Sequence, residues 1–265
     1  MAAIKCVVLD LDGTLLNRDQ TISPRTLRSV DACWAHGISI VLATGRPPRA
    51  VRHLLVTESL RGYVIYLDGA LTIHESDGIV YDHRTIPASV SSRITQSVLS
   101  ADPRSIISFE VQDAWYCLES PVADEVIHAD SPYPPPQRVD KAQIHALSPT
   151  KMILSGNVNW ECVLRPFDPA VQIRATPDGA LIQVMEKSVS KESALSRVLH
   201  ALGVDPAGVM VFGDGLNDMG LFDLCGYPVA MGNAVDALKR RAKYMTDSND
   251  DDGVAAALQA LGLIP

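Results

Sequence analysis

Short apolar runs that each end in a polar tip recur along this chain, and between them the apolar spacing is helical. Ile4-Lys5-Cys6-Val7-Val8-Leu9 ends in Asp10-Leu11-Asp12-Gly13-Thr14, and Ile38 through Ala43 ends in Thr44-Gly45-Arg46-Pro47. Tyr63-Val64-Ile65-Tyr66-Leu67 ends in Asp68-Gly69-Ala70, Gly208 through Phe212 in Gly213 through Asp218, and Tyr227 through Met231 in Gly232-Asn233-Ala234. Runs this short and this rich in Val and Ile read as strands buried on both faces. Ser23 as N-cap and Pro24 at the first position open a helix that stops at Gly37. Further helices are predicted over Arg49–Glu58, from Ser190 to Gly203, after Asp218, over Val235–Lys243 and over Gly253–Leu261. Strands alternating with helices imply an α/β fold with a doubly wound, mostly parallel, Rossmann-like sheet, whose right-handed crossovers bring the tips to one edge.

From about Thr72 the pattern changes. Ile73 to Tyr81 reads as a hairpin turning at Asp77-Gly78. Beyond it, helices are expected over Pro87–Leu99 and Pro121–Ala129, short strands between Ile106 and Leu118, and a rigid surface loop at the proline run Ser131 to Pro136. This is α+β character inserted into an α/β chain. The expected division is therefore 1–83 and 188–265 for the core, with 84–187 as an inserted cap domain.

Composition narrows the partners. With 265 residues, the chain carries a formal net charge of −8, which argues against a general binder of nucleic acid or an anionic membrane, since both would want a basic face. Its five cysteines are scattered and form no C-x-x-C pair, as in a reduced, cytoplasmic protein. Neither a leader peptide nor a membrane-length apolar stretch is visible. A small molecule is the expected partner, and oligomeric state is open.

The first tip carries the chemistry. Ligands of open α/β sheets bind beyond the carboxyl ends of strands. Alternation along the strand predicts Asp10 and Asp12 on one side and Leu11 on the other. Two carboxylates so close repel unless a cation lies between them, which makes a divalent metal the economical occupant. An arbitrary D-x-D would more often cap a helix; the strand before it and the other tips set this one apart. Thr44, Asp68, Asp214, Asn217 and Asp218 occupy those tips, and Lys191 stands at a helix start, where anions are favoured. Carboxylates for a hard cation, one lysine and one hydroxyl are what phosphoryl transfer requires. Gly213-Asp214-Gly215 imitates a dinucleotide fingerprint, but Asp218 stands where its third glycine belongs.

DLDGTLL, ATGR, SKESAL and GDGLNDMGLF, in this order and with a large insertion between the second and third, resemble the four motifs of the haloacid dehalogenase superfamily. The ending VAMGNAVDALKRRAKYMTDSNDDDGVAAAL is similar to that of its Cof-type subfamily of sugar-phosphate phosphatases. The resemblance implies a Mg²⁺-dependent phosphatase with Asp10 as nucleophile and Asp12 as general acid and base. It implies Mg²⁺ held by Asp10, the Asp12 backbone carbonyl and Asp214, with Asp218 at the metal shell, and phosphoryl oxygens held by Thr44, Gly45 and Lys191 with Asn217 nearby. The insertion would be a lid. A sugar phosphomutase and a non-catalytic metabolite sensor are the competing readings. Two positions depart from the subfamily: Asp68 stands where Asn is usual, so that either it meets a ligand hydroxyl or the usual Asn is dispensable, and Glu192 stands where Gly is common.

Overall fold

The computed structural model describes residues 3–119, 134–176 and 180–264. Strands β1 (Cys6–Leu9), β2 (Ser39–Ala43), β3 (Tyr63–Tyr66), β4 (Leu71–His74) and β5 (Ile79–His83) come first. β6 (Ile106–Val111), β7 (Ala114–Leu118), β8 (Gln137–Val139), β9 (Lys151–Ser155), β10 (Val171–Ala175) and β11 (Ile182–Glu186) follow. β12 (Val209–Gly213), β13 (Tyr227–Ala230) and β14 (Tyr244–Met245) close the series. Contacts divide the chain into two units, one of Met1–Arg46, Val51–Asp82 and Ser190–Pro265, the other of Pro47–Ala50 and His83–Val189.

The first unit holds an eight-stranded sheet in the order β14-β13-β12-β1-β2-β3-β4-β5. It is parallel from β14 to β3, and β4 runs antiparallel to β3. β1 lies inside it, with Val8 in register between Val41 and Val211, and all four of its residues are buried. β-branched side chains with few rotamers to lose suit that doubly covered position. The helix Pro24–Ala35 starts as expected, with the Ser23 side chain accepting from the Thr26 N–H. Gly78, at a φ of 70°, makes the turn between β4 and β5.

The expected helix over Arg49–Glu58 does not form. Three single turns of 3-10 helix replace it: Pro48–Ala50, Arg52–Leu54 and Glu58–Leu60. The Arg49 N–H donates to the Asp113 carboxylate at 2.6 Å, and its guanidinium makes paired bonds of 2.7 and 2.6 Å to the buried Glu110. These partners hold the segment out of helical register. The Val235–Lys243 expectation shortens to a helix over Asp236–Lys239, because Tyr244 and Met245 pair with β13 as the edge strand β14.

The second unit carries a six-stranded sheet, β10-β11-β9-β6-β7-β8, antiparallel except between β7 and β8. The helix Ala88–Ala101 buries Ile94 and Val98 in a core with Ile107, Phe109, Met152, Leu154 and Val184. The expected helix Pro121–Ala129 lies outside the described residues, as does the first half of the proline run, 131–133. No helix among the described residues is long and apolar enough to cross a membrane.

Candidate active site

Asp10 follows directly on β1, and its N–H continues the ladder by donating to the Phe212 carbonyl at 3.2 Å. The alternation expected beyond it stops there. Leu15 and Leu16 donate to the carbonyls of Asp10 and Leu11, at 3.2 and 2.9 Å, and curl the chain into a turn. Asp10 is therefore buried while Asp12, at the crest of the turn, is exposed. Gly13 has a φ of 76°, and a Cβ there would sit 2.3 Å from Asp214 Oδ2. Only glycine allows both the turn and the approach of that carboxylate.

Lys191 is the first residue of the helix Lys191–Leu202, which a reciprocal capping box between Ser190 and Ser193 starts. Its ammonium is fully buried and donates to Asp10 Oδ1 at 2.6 Å and to Asp218 Oδ1 at 2.8 Å. The other Asp218 oxygen accepts from the N–H groups of Asp214 and Gly215, each at 3.2 Å. Asp218 is thus engaged on both oxygens, and it fixes the lysine against the tip after β12. Thr14 Oγ1 reaches Asp214 at 3.5 Å.

The electrostatics are uneven. Burial, then the neighbouring Asp218, raises the Asp10 pKa well above the ordinary carboxylate range against the pull of Lys191. Burial and Asp218 push Asp214 up to about 6. Burial pulls the Lys191 pKa down, but Asp10, Asp218 and Asp68 outweigh it and hold the ammonium protonated. Carboxylate oxygens of Asp10, Asp214 and Asp218 lie within 4.8 Å of one another. Three acids facing one ammonium leave negative charge unbalanced, and hard oxygen donors in that number suit Mg²⁺. The donor set fits the ion. The Asp12 carboxylate stands outside this group.

Asp68 and Asn217 form a neighbouring group. Asn217 Nδ2 donates to Asp68 Oδ1 at 3.3 Å, and the Asp68 N–H donates to the Thr44 carbonyl at 3.0 Å. Leu67 and Asp68 both adopt positive φ, 50° and 56°, a cost concentrated at functional positions. A Cβ on Gly45 would come 3.2 Å from the Asp68 carboxylate, and one on Gly69 would lie 2.2 Å from the Ser190 carbonyl. The third tip thus packs directly on the start of the lysine helix. Thr44 is buried, and its Oγ1 accepts from the Arg46 N–H at 3.1 Å, leaving the hydroxyl hydrogen to donate.

Arg46 reaches across to Asp12. Its Nε donates to Oδ2 at 2.9 Å, and a terminal nitrogen donates to Oδ1 and to the Gln20 side chain.

A model of the haloacid dehalogenase-like hydrolases matches residues 7–258. The chain belongs to the haloacid dehalogenase-like hydrolase family. M6_Spy0533 of Streptococcus pyogenes serotype M6 is 29% identical to it over 97% of this chain and 98% of its own length. The Bacillus subtilis 5-amino-6-(5-phospho-D-ribitylamino)uracil phosphatase YwtE is 26% identical over 97% and 98%. Among solved structures, BT1666 from Bacteroides thetaiotaomicron, described among the phosphatases of the superfamily, is 26% identical. It superposes with a TM-score of 0.83, covering 99% of this chain and 96% of its own.

In this hydrolase the sequence pattern had marked every tip aspartate, and the structure adds the partners that the pattern did not show. Arg46 was visible in ATGR, but nothing in a linear sequence pairs it with Asp12. Thr14 stands within DLDGTLL, but nothing in a linear sequence pairs it with Asp214, and Gln20 has no motif signal. The Glu192 departure is accommodated across the helix packing: a Cβ on Gly220 would lie 2.3 Å from the Glu192 carboxyl carbon.

Proposed function

We propose that this hydrolase cleaves a phosphate monoester of a small metabolite, a sugar or polyol phosphate, through an aspartyl-phosphate on Asp10. The observation that carries the reading is the buried Lys191 bridging Asp10 and Asp218 beside Asp214, at the strand ends where the fold binds ligands. The Asp10 carboxylate attacks phosphorus while Asp12 gives a proton to the departing alcohol oxygen. Asp12 then takes a proton from the water that attacks the aspartyl-phosphate, releasing inorganic phosphate and restoring both acids. Lys191 and the Thr44 hydroxyl hold phosphoryl oxygens, with Gly45 and Asn217 beside them. Mg²⁺ on Asp10, the Asp12 carbonyl and Asp214, with Asp218 behind, would neutralise charge on the phosphoryl group.

The name of YwtE supports a ribityl-like phosphate as the substrate class, and Asp68 would accept a hydroxyl hydrogen of such a polyol. Residues 84–187, as one inserted domain between core segments 1–83 and 188–265, supply the remaining choice of substrate. Unaided monoester hydrolysis is so slow that a barrier reduction of about 20 kcal/mol is needed. Phosphate release from a panel of sugar, polyol, nucleotide and cofactor phosphates tests the reading, with Mg²⁺ or chelator and with Asp10→Asn. Release that needs both metal and Asp10 upholds it. Release that survives in Asp10→Asn overturns the covalent route, and exchange of phosphate within one sugar without free phosphate makes the protein a mutase.

A further inference from the structure

The tip after β13 is attached on both sides of the site. Asn233 Nδ2 donates to the Gly13 carbonyl at 2.8 Å, on the turn that carries Asp10 and Asp12. Two residues on, the Val235 N–H donates to the Asp214 carbonyl at 2.9 Å. Asn233 Oδ1 accepts from the Asn249 N–H at 3.1 Å, and Asn249 Nδ2 donates to the Leu16 carbonyl at 2.7 Å. The hydrogen bonds therefore close a ring: from Gly13 through Asn233 and Asn249 to Leu16, three residues along the same turn. The amide orientation is unambiguous, because one end faces a carbonyl and the other an N–H. A Cβ on Gly13 would meet the Asp214 carboxylate at 2.3 Å, so the two pack directly together.

We propose that Asn233 is a positioning residue for the metal. By tying the Gly13 turn to the loop that holds Asp214, it sets the separation of the two ends of the carboxylate cluster. It touches neither substrate nor cation and acts through Gly13 and Asp214. The proposal rests on the Mg²⁺-dependent reading above. It predicts a loss in metal affinity that exceeds any loss of fold, because both Asn233 bonds are exposed, where a hydrogen bond adds little to global stability.

Asn233→Ala removes both bonds. Asn233→Asp keeps the acceptor for Asn249 and sets an oxygen against the Gly13 carbonyl. Thr246→Ala is the control, since it removes a 2.7 Å bond to the Gly253 carbonyl next to the same loop without touching the turn. Two quantities are measured: the Mg²⁺-induced shift in Tm and the Mg²⁺ concentration that half-saturates phosphate release. Both Asn233 variants should need about five to ten times more Mg²⁺, with metal-free Tm near wild type, and Thr246→Ala should not. Half-saturation within twofold of wild type in both Asn233 variants, or an equal rise in Thr246→Ala, overturns this proposal alone. A wild-type protein whose Tm ignores Mg²⁺ overturns the metal reading itself, and that is read before any variant.

Discussion

The Arg46 guanidinium grips the Asp12 carboxylate on both oxygens, with Nε at 2.9 Å from Oδ2, and the pair stands at the open side of an otherwise buried cluster. A general acid must reach the departing oxygen in one defined direction, and a two-nitrogen fork supplies direction that a lone charge does not. Asp12→Asn should lower kcat about 10²- to 10⁴-fold, since no proton can then be given or taken. Its Tm should move little, because exposed ion pairs contribute about 0–1 kcal/mol. Arg46→Lys should retain the charge, lose the fork and lose about tenfold in kcat. Steady-state kinetics beside thermal melts check all three; an Asp12→Asn protein at the wild-type rate would remove Asp12 from the chemistry.

Lys191 and Asp10 should respond oppositely to neutralisation. Lys191→Met leaves Asp10 and Asp218 buried and facing each other without the cation, an omission that costs about 3–5 kcal/mol. In a protein of this size that is a fall in Tm of about 10 °C. Asp10→Asn removes a carboxylate that burial and Asp218 already disfavour, while Lys191 keeps Asp218. Its metal-free Tm at pH 7 should stay within a few degrees of wild type or rise, although phosphate release is lost. Equal destabilisation by the two substitutions would contradict the charge imbalance described for the site.

The parts of this fold that were legible in the sequence are those governed by local pattern. β1, β2, β3, β12 and β13 announce themselves because fully buried parallel strands must be continuously apolar, and their tips because glycine and aspartate end such runs. The Lys191 helix is legible from its capping serine and its terminal Gly203, which adopts φ 64°. What escaped is decided by partners far away in sequence. The helical spacing of 49–58 is real, yet Glu110 and Asp113 hold Arg49 in a 3-10 turn. Asp252, just before the last helix, takes the left-handed conformation at φ 56°, and its carboxylate accepts from Ser23 and Thr26 on another element, which no local pattern shows. Asp10 is buried and Asp12 exposed because the chain turns directly after β1.

The thiols provide an independent check of the packing. Burial pushes Cys6 and Cys225 up to about 12 and Cys33 to about 11, and Cys117 is buried as well, whereas Cys162 is exposed. A thiol that is neither ionised nor reachable does not attack a disulfide reagent. Titration of the native protein with such a reagent should find one fast thiol, lost in Cys162→Ser, and five after denaturation. A second fast native thiol would place one of these buried segments at the surface.

Proton and metal should compete at Asp214, and the sign follows from its raised pKa. With a folded value of about 6 against 3.8 for the free group, the native state binds more protons than the unfolded state between those values. This group therefore lowers stability as pH rises from about 4 to 6 and contributes no further change above. A divalent cation held at Asp10 and Asp214 as proposed would take the place of that proton. The Mg²⁺-induced rise in Tm should accordingly be small at pH 5, grow through pH 6 and level off above pH 7. Asp214→Asn should abolish that growth while keeping the metal-free melt less dependent on pH in the same window. Thermal melts at pH 5, 6 and 7.5 with Mg²⁺ or chelator measure it. A Mg²⁺ shift of the same size at pH 5 and 7.5 would mean that the cation does not contact Asp214.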